Sequence, residues 1–154
     1  MHFSCLLGSR FIVIAVQDGF DQMIDLRIKR LGLSERSLPT RLIDANFSDV
    51  TKGFQNSKDL VKIFCETSRQ AIKQGAEFLI PGQLYLREAI FKAGITRIND
   101  LPVIDALSTT IKMAESMTDL DRLGISVTRR SYTHAQPPDD ILKQVRKIHT
   151  VYSV

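Results

Sequence analysis

Apolar and polar positions along this chain alternate between two rhythms. "RFIVIAV", residues 10–16, is a near-continuous β-branched run, the pattern of a strand buried on both faces of a parallel sheet. In "DGFDQMIDLRIKRLGL" the spacing changes to that of a helix. Phe20, Ile24, Ile28 and Leu31 share one side, Asp18 is the expected N-cap and Gly32 the stop. "RLIDANF" reads as a second strand. "NSKDLVKIFCETSRQAIKQG" follows as a helix with Leu60, Ile63, Phe64, Thr67, Ala71 and Ile72 along its stripe, closed by Gly75. "EFLIPG" and "QLYLREAIFKAG" repeat the unit, ending at Gly94. "LPVIDA" and "LSTTIKMAESMTDLDRLG" repeat it once more.

Such alternation forces right-handed crossovers. The expected fold is therefore α/β: a three-layer, open, parallel four-stranded sheet in the order 2-1-3-4, with helices on both faces, over residues 1–123. From Gly124 the rhythm breaks. Residues 124–154 are expected to be an irregular strap, "ISVTRRSYTHAQPP", and a last helix with Ile141, Val145, Ile148 and Tyr152 on one side. That side is expected to stay uncovered in a monomer and to drive self-association.

Ligands of open α/β sheets bind at the carboxyl ends of the strands, so the loops after each strand carry the candidate chemistry. Here they hold Gln17 and Asp18, then Phe47 to Asp49, then Gly82, Gln83, Leu84 and Tyr85, then Asp105 to Leu107. No GxGxxG or GxxxxGK is present, which leaves dinucleotide and P-loop binding without a motif. The acids and lysine of a phospho-acceptor domain are missing from these ends as well. In "GAEFLIPGQLYL" a strand enters a glycine turn and then a helix, a geometry that aims backbone N–H groups at a ligand. Yet Gln83, at its tip, offers neither acid, base nor nucleophile. Plainer roles exist for the same residues: a helix cap for Gln83 or Asp105, packing for Tyr85, a solvated surface for Arg129 and Arg130.

Composition narrows the field only a little. At 154 residues, 44% hydrophobic and 25% charged, the chain suits one globular domain with a sizeable core. The net charge of +4 is spread out. The modest cluster in "DILKQVRKIH" lacks interleaved aromatics, so nucleic acid is not an expected partner. Cys5 and Cys65 are isolated, and His2, His134 and His149 lack ligand spacing, so no metal site is expected. No apolar run is long enough for a membrane span and none resembles a signal segment, so the expected location is cytoplasmic.

"LGSRFIVIAV", "GAEFLIPG", "GITRINDLPVIDALSTTIKMAE" and "LGISVTRRSYTHAQPPDDIL", in this order, resemble the second half of the aspartate/glutamate/hydantoin racemase superfamily. The resemblance implies two similar α/β lobes with one cysteine each and no cofactor. One thiolate would remove the proton beside a carbonyl while the facing thiol reprotonates the other side. The family's second cysteine directly follows the glycine of the third-strand turn, the place of Gln83 here. The other lobe has no counterpart, and Cys5 and Cys65 match neither catalytic position. No catalytic residue is assigned. The expected binding residues are Gln17, Gly82, Gln83, Leu84, Tyr85 and Asp105, and the expected ligand a small carboxylate or hydantoin-like molecule. Gly82, Gln83 and Leu84 would form an anion-binding turn. Three readings stay open: a racemase-like isomerase, truncated or impaired, whose facing lobe is a missing one or a second copy; a non-catalytic binding or interaction domain; and a truncated product of a longer gene.

Overall fold

The computed structural model describes residues 1–43, 58–130, 135 and 137–152. The Phe47–Asp49 loop, the second strand beyond Ile43, His134 and the side chains of His149 and Tyr152 lie outside the described residues. Two compact units divide the chain, Met1–Lys112 and Met113–Val154.

The first unit is built on the strand β1, Phe11–Ala15, which pairs in parallel with β2, Arg41–Leu42, and with β3, Phe78–Pro81. The order β2-β1-β3 places the most apolar run in the centre, where both ladders and both faces cover it. Every residue from Phe11 to Val16 is buried. The two-residue period of the strand then sorts that run into two cores. Ile12, Ile14, Val16 and Leu79 face one layer, made by Leu60, Phe64 and Ala71 of α2 (Lys58–Lys73) and by Leu86 and Ile90 of α3 (Leu84–Lys92). Phe11, Val13, Ala15, Phe78 and Ile80 face the other, with Ile24 and Ile28 of α1 (Phe20–Arg30) and Leu33. Phe11 and Phe78, paired across the ladder, stack with centroids 6.4 Å apart. Each fully buried Phe, Leu or Ile contributes about 1.5–3 kcal/mol by leaving water, so the central sheet is the main source of stability.

The parallel α/β fold with helices on both faces is as expected, but the sheet is narrower than four strands. Among the described residues it has three. The fourth lane shrinks to one parallel bridge, Leu79 to Val103, with the Ile104 N–H donating to the Leu79 carbonyl at 2.8 Å. The cause is Pro102. Alternate residues of a strand donate to the same neighbour, and Pro102, two before Ile104, has no N–H to extend the ladder. The segment instead folds back as a short antiparallel hairpin, β4 (Arg97–Ile98) with β5 (Leu101–Pro102), turned at Asn99 with φ 50°. Val103 N–H joins that hairpin through the Thr96 carbonyl at 2.9 Å.

Two local expectations also change. The N-cap of α1 is Gly19, at φ 81°, instead of Asp18, because the turn after β1 needs a left-handed residue there. On α2 it is Ser68 that is fully buried, while Thr67 is only half-buried; the Ser68 hydroxyl donates to the Phe64 carbonyl at 2.7 Å. At the other end of α1 the expected stop holds: Gly32 has φ 70° and the Leu33 N–H returns to the Ile28 carbonyl at 3.1 Å.

The helix α4, Ala106–Arg122, starts in the first unit and continues into the second, which also contains α5, Asp139–Tyr152. No residue of α4 is buried, and Ile141, Val145 and Ile148 of α5 are exposed. No helix among the described residues is long and apolar enough to cross a membrane.

Candidate functional site

The carboxyl ends of β1 and β3 lie side by side, and a glycine lets them touch. Gly82 N–H donates to the Ile14 carbonyl at 2.8 Å. A Cβ at residue 82 would sit 3.1 Å from Val13 Cγ1, 3.2 Å from Ala15 Cβ and 3.2 Å from the Ile14 oxygen. The turn therefore rests directly on β1, a closeness only glycine allows without displacement.

Gln83 follows in extended backbone (φ −127°, ψ 151°) as the N-cap of α3, with its carbonyl taking the Arg87 N–H at 3.0 Å. Its side chain does not cap the helix. It reaches across to β1, where Oε1 accepts the Val16 N–H at 3.3 Å. Because a backbone N–H must meet an oxygen, this contact fixes which way the amide is turned. Nε2 is left shielded from solvent and without an acceptor among the described residues. A buried donor in that state costs about 1–3 kcal/mol unless something supplies an acceptor. The first N–H groups of α3 also lack intrahelical acceptors and add partial positive charge to the same edge.

The other expected residues divide around this turn. Gln17 directly follows Val16 and is exposed, its carbonyl taking the Phe20 N–H at 3.1 Å. Leu84 points outward, 67% exposed. Tyr85 packs half-buried against the core under α2 and α3, and that burial pushes its hydroxyl pKa up.

Asp105 has another setting. Oδ1 accepts from Arg87 Nε at 2.7 Å and from the N–H groups of Leu107 and Ser108 at 3.0 and 3.3 Å. Oδ2 accepts from Arg87 Nη2 at 2.5 Å and from the Ser108 hydroxyl at 2.6 Å. These bonds, the arginine's first among them, hold the carboxyl well below the usual carboxylate range. Five donors fill a group with about four lone-pair positions, so Asp105 caps α4 and clamps α3 to it with nothing left for a ligand. Arg87, not anticipated from the sequence, completes the clamp and lies over the Phe91 ring at 5.1 Å.

The structure thus gathers Gln17, Gly82 and Gln83 at one edge and assigns Asp105 to the scaffold. Cys65 is half-buried on α2, where burial pushes its thiol pKa up, and Cys5 lies in the N-terminal turn, packed on the α1 side of the sheet. No cluster of three or more His, Cys, Asp or Glu among the described residues could hold a metal.

No family model and no curated protein matches the sequence. Solved structures do. The crystal structure of allantoin racemase from Pseudomonas fluorescens is 24% identical, with a TM-score of 0.65, over 88% of this chain and 55% of that one. Allantoin racemase from Klebsiella pneumoniae is 20% identical, with a TM-score of 0.69, over 89% of this chain and 53% of that one. The chain spans about half the length of these neighbours, and over that span its fold is that of the allantoin racemases.

Proposed function

We propose that this chain is one lobe of a racemase-like fold that binds a small carboxylate or a hydantoin-like cyclic ureide at the Gly82–Tyr85 turn, and that by itself it does not invert a carbon centre. The observation that carries this reading is the Gln83 amide. Its oxygen is held by Val16, so it carries a donor without an acceptor among the described residues, on a turn whose helix N-terminus favours a ligand oxygen. Inversion by two-base chemistry needs a group that loses a proton and one that gives a proton on opposite faces of the carbon. An amide can do neither near neutral pH. In the racemase superfamily that this sequence resembles, a thiol occupies the position of Gln83 and a second lobe brings the other. No cofactor enters the scheme. Residues 1–123 act as the ligand-bearing lobe and residues 124–154 as the strap and helix that engage a second lobe or a second copy. The two unpaired cysteines suit a reducing cytoplasm.

The test joins binding to turnover. Allantoin, substituted hydantoins, aspartate and glutamate are titrated into labelled protein while the Gln83 side-chain amide and Val16 N–H signals are followed. Exchange of the ligand's α-proton for deuterium is read in parallel. The expected result is saturable movement of both signals with one ligand class and no exchange. Deuterium exchange that Gln83→Ala abolishes would make the turn a working catalytic site and overturn the reading, and silence of both signals would remove the ligand.

A second reading, a non-catalytic interaction domain, is favoured by Ile141, Val145 and Ile148, which are 44%, 54% and 58% exposed. It predicts concentration-dependent association in sedimentation that Val145→Asp weakens.

A further inference from the structure

The outer side of α1 carries a feature that the reading above does not use. Met1, Met23, Ile24 and Leu26 line an apolar cleft of about 310 Å³, and Arg27 and Arg30 complete its wall. Apolar groups on the outside of a helix normally scatter singly, yet here Met23 and Leu26 remain 55% and 50% exposed side by side. Ile24, buried, closes the base.

The charges are as informative as the apolar wall. Arg27 and Arg30 are three residues apart, so they stand on the same side of α1. Neither engages a carboxylate among the described residues. Cations in the last turn of a helix complement its dipole, which accounts for their tolerance there but not for their meeting an apolar cleft. Two guanidinium groups without a carboxylate partner among the described residues, beside a wall with two methionines, select an anion with an apolar body. A bare phosphate would leave the wall in water, and a neutral hydrocarbon would leave the arginines unused. The volume lies at the lower end of the roughly 300–1,000 Å³ of small-molecule sites, which limits the occupant to a short chain. Methionine thioethers adapt to a flexible alkyl chain better than branched residues do.

We infer that this cleft is a binding site for a small amphiphilic carboxylate, with the headgroup on Arg27 and Arg30 and the alkyl body against Met1, Met23 and Leu26. It is separate from the Gly82–Tyr85 turn and independent of any activity there.

The four methionines of the chain make the test internal. Met1 and Met23 line the cleft, whereas Met113 and Met117 lie on α4. In protein labelled with carbon-13 at the methionine methyls, octanoate below its micellar concentration should shift Met1 and Met23 saturably and leave Met113 and Met117 in place. Octyltrimethylammonium, of equal apolar length and opposite charge, should not saturate. Arg27→Glu with Arg30→Glu should weaken octanoate binding roughly tenfold, as two exposed ion pairs allow. Leu26→Gln, which keeps both charges, should weaken it as well. Both variants should keep the dispersed backbone amide signals of Phe11 to Val16, which reports that the first unit folds. Equal response to the cation, movement of all four methionines together, or octanoate binding unchanged in the double arginine variant would each overturn the assignment. So would binding to phosphatidylglycerol vesicles with no response to free octanoate.

Discussion

Two strand-to-helix turns stand at the same edge of this molecule, and they are finished differently. The turn into α4 is saturated: Asp105 accepts five hydrogen bonds, and the donors come from α3, the backbone of α4 and Ser108. The turn into α3 is left incomplete among the described residues: Gln83 gives its oxygen to Val16 and keeps a buried donor without an acceptor there. Both residues precede a helix and both are polar, so residue type alone does not separate a scaffold position from a candidate ligand position. Polar accounting does. A turn whose groups are all paired has nothing to offer a ligand, and one with an unpaired group at a helix N-terminus has an offer outstanding.

Three variants sharpen that contrast. The largest effect is expected from Gly82→Val, which drives a branched side chain into Val13, Ala15 and the Ile14 carbonyl. It should cost about 2–3 kcal/mol in urea unfolding with little change in slope. Asp105→Ala comes next. Losing the cap and the clamp should cost about 2 kcal/mol at neutral pH while leaving ligand binding at residue 83 untouched. The pH dependence follows from the sign of the shift. The folded-state pKa lies below the unfolded one, so the stabilisation is present above about pH 4 and lost as pH falls further, and wild type and variant should converge in acid. The smallest stability effect belongs to Gln83→Met. The variant loses the 3.3 Å bond from Val16 but also removes the orphan donor, and the two terms oppose each other within about 1 kcal/mol. Its mark should appear in hydrogen exchange at the Val16 amide, faster by roughly tenfold, and in the loss of ligand response. If Asp105→Ala silenced the ligand and Gln83→Met did not, the contrast between the turns would be reversed.

Much of the scaffold was legible in the chain. The run from Phe11 to Val16 announces a central strand because only a strand covered on both faces tolerates six apolar residues in succession, and Gly32, Gly75 and Gly94 announce helix ends because each takes a positive φ. The narrowing of the sheet was legible in principle: Pro102 sits where a ladder donor is required. What could not be read were pairings between distant positions. The acceptor for the Val16 N–H lies 67 residues away, and a backbone amide has no sequence signature. The partnership of Arg87 with Asp105 likewise depends on how α3 and the fourth lane meet, which the helical period of either segment does not state. The glycine before Gln83 points to a tight turn, but not to the strand that the turn touches.

The register of β1 against β3 has a consequence for how the protein is made. Phe11 finds Phe78 only across 67 residues, so the central strand waits for its principal neighbour. At a synthesis rate of about 5–20 residues per second, that wait lasts roughly 3–13 s, during which "FIVIAV" is outside the ribosome or in its tunnel with only the short β2 to pair with. Local helices such as α1 form in about a microsecond, far faster than the delay, and can shield only the face carrying Phe11, Val13 and Ala15. The face with Ile12, Ile14 and Val16 stays open until α2 and α3 arrive. A nascent chain in this state is a substrate for holding chaperones and a seed for aggregation. The segment that stabilises the finished fold most is therefore also the one that endangers its synthesis.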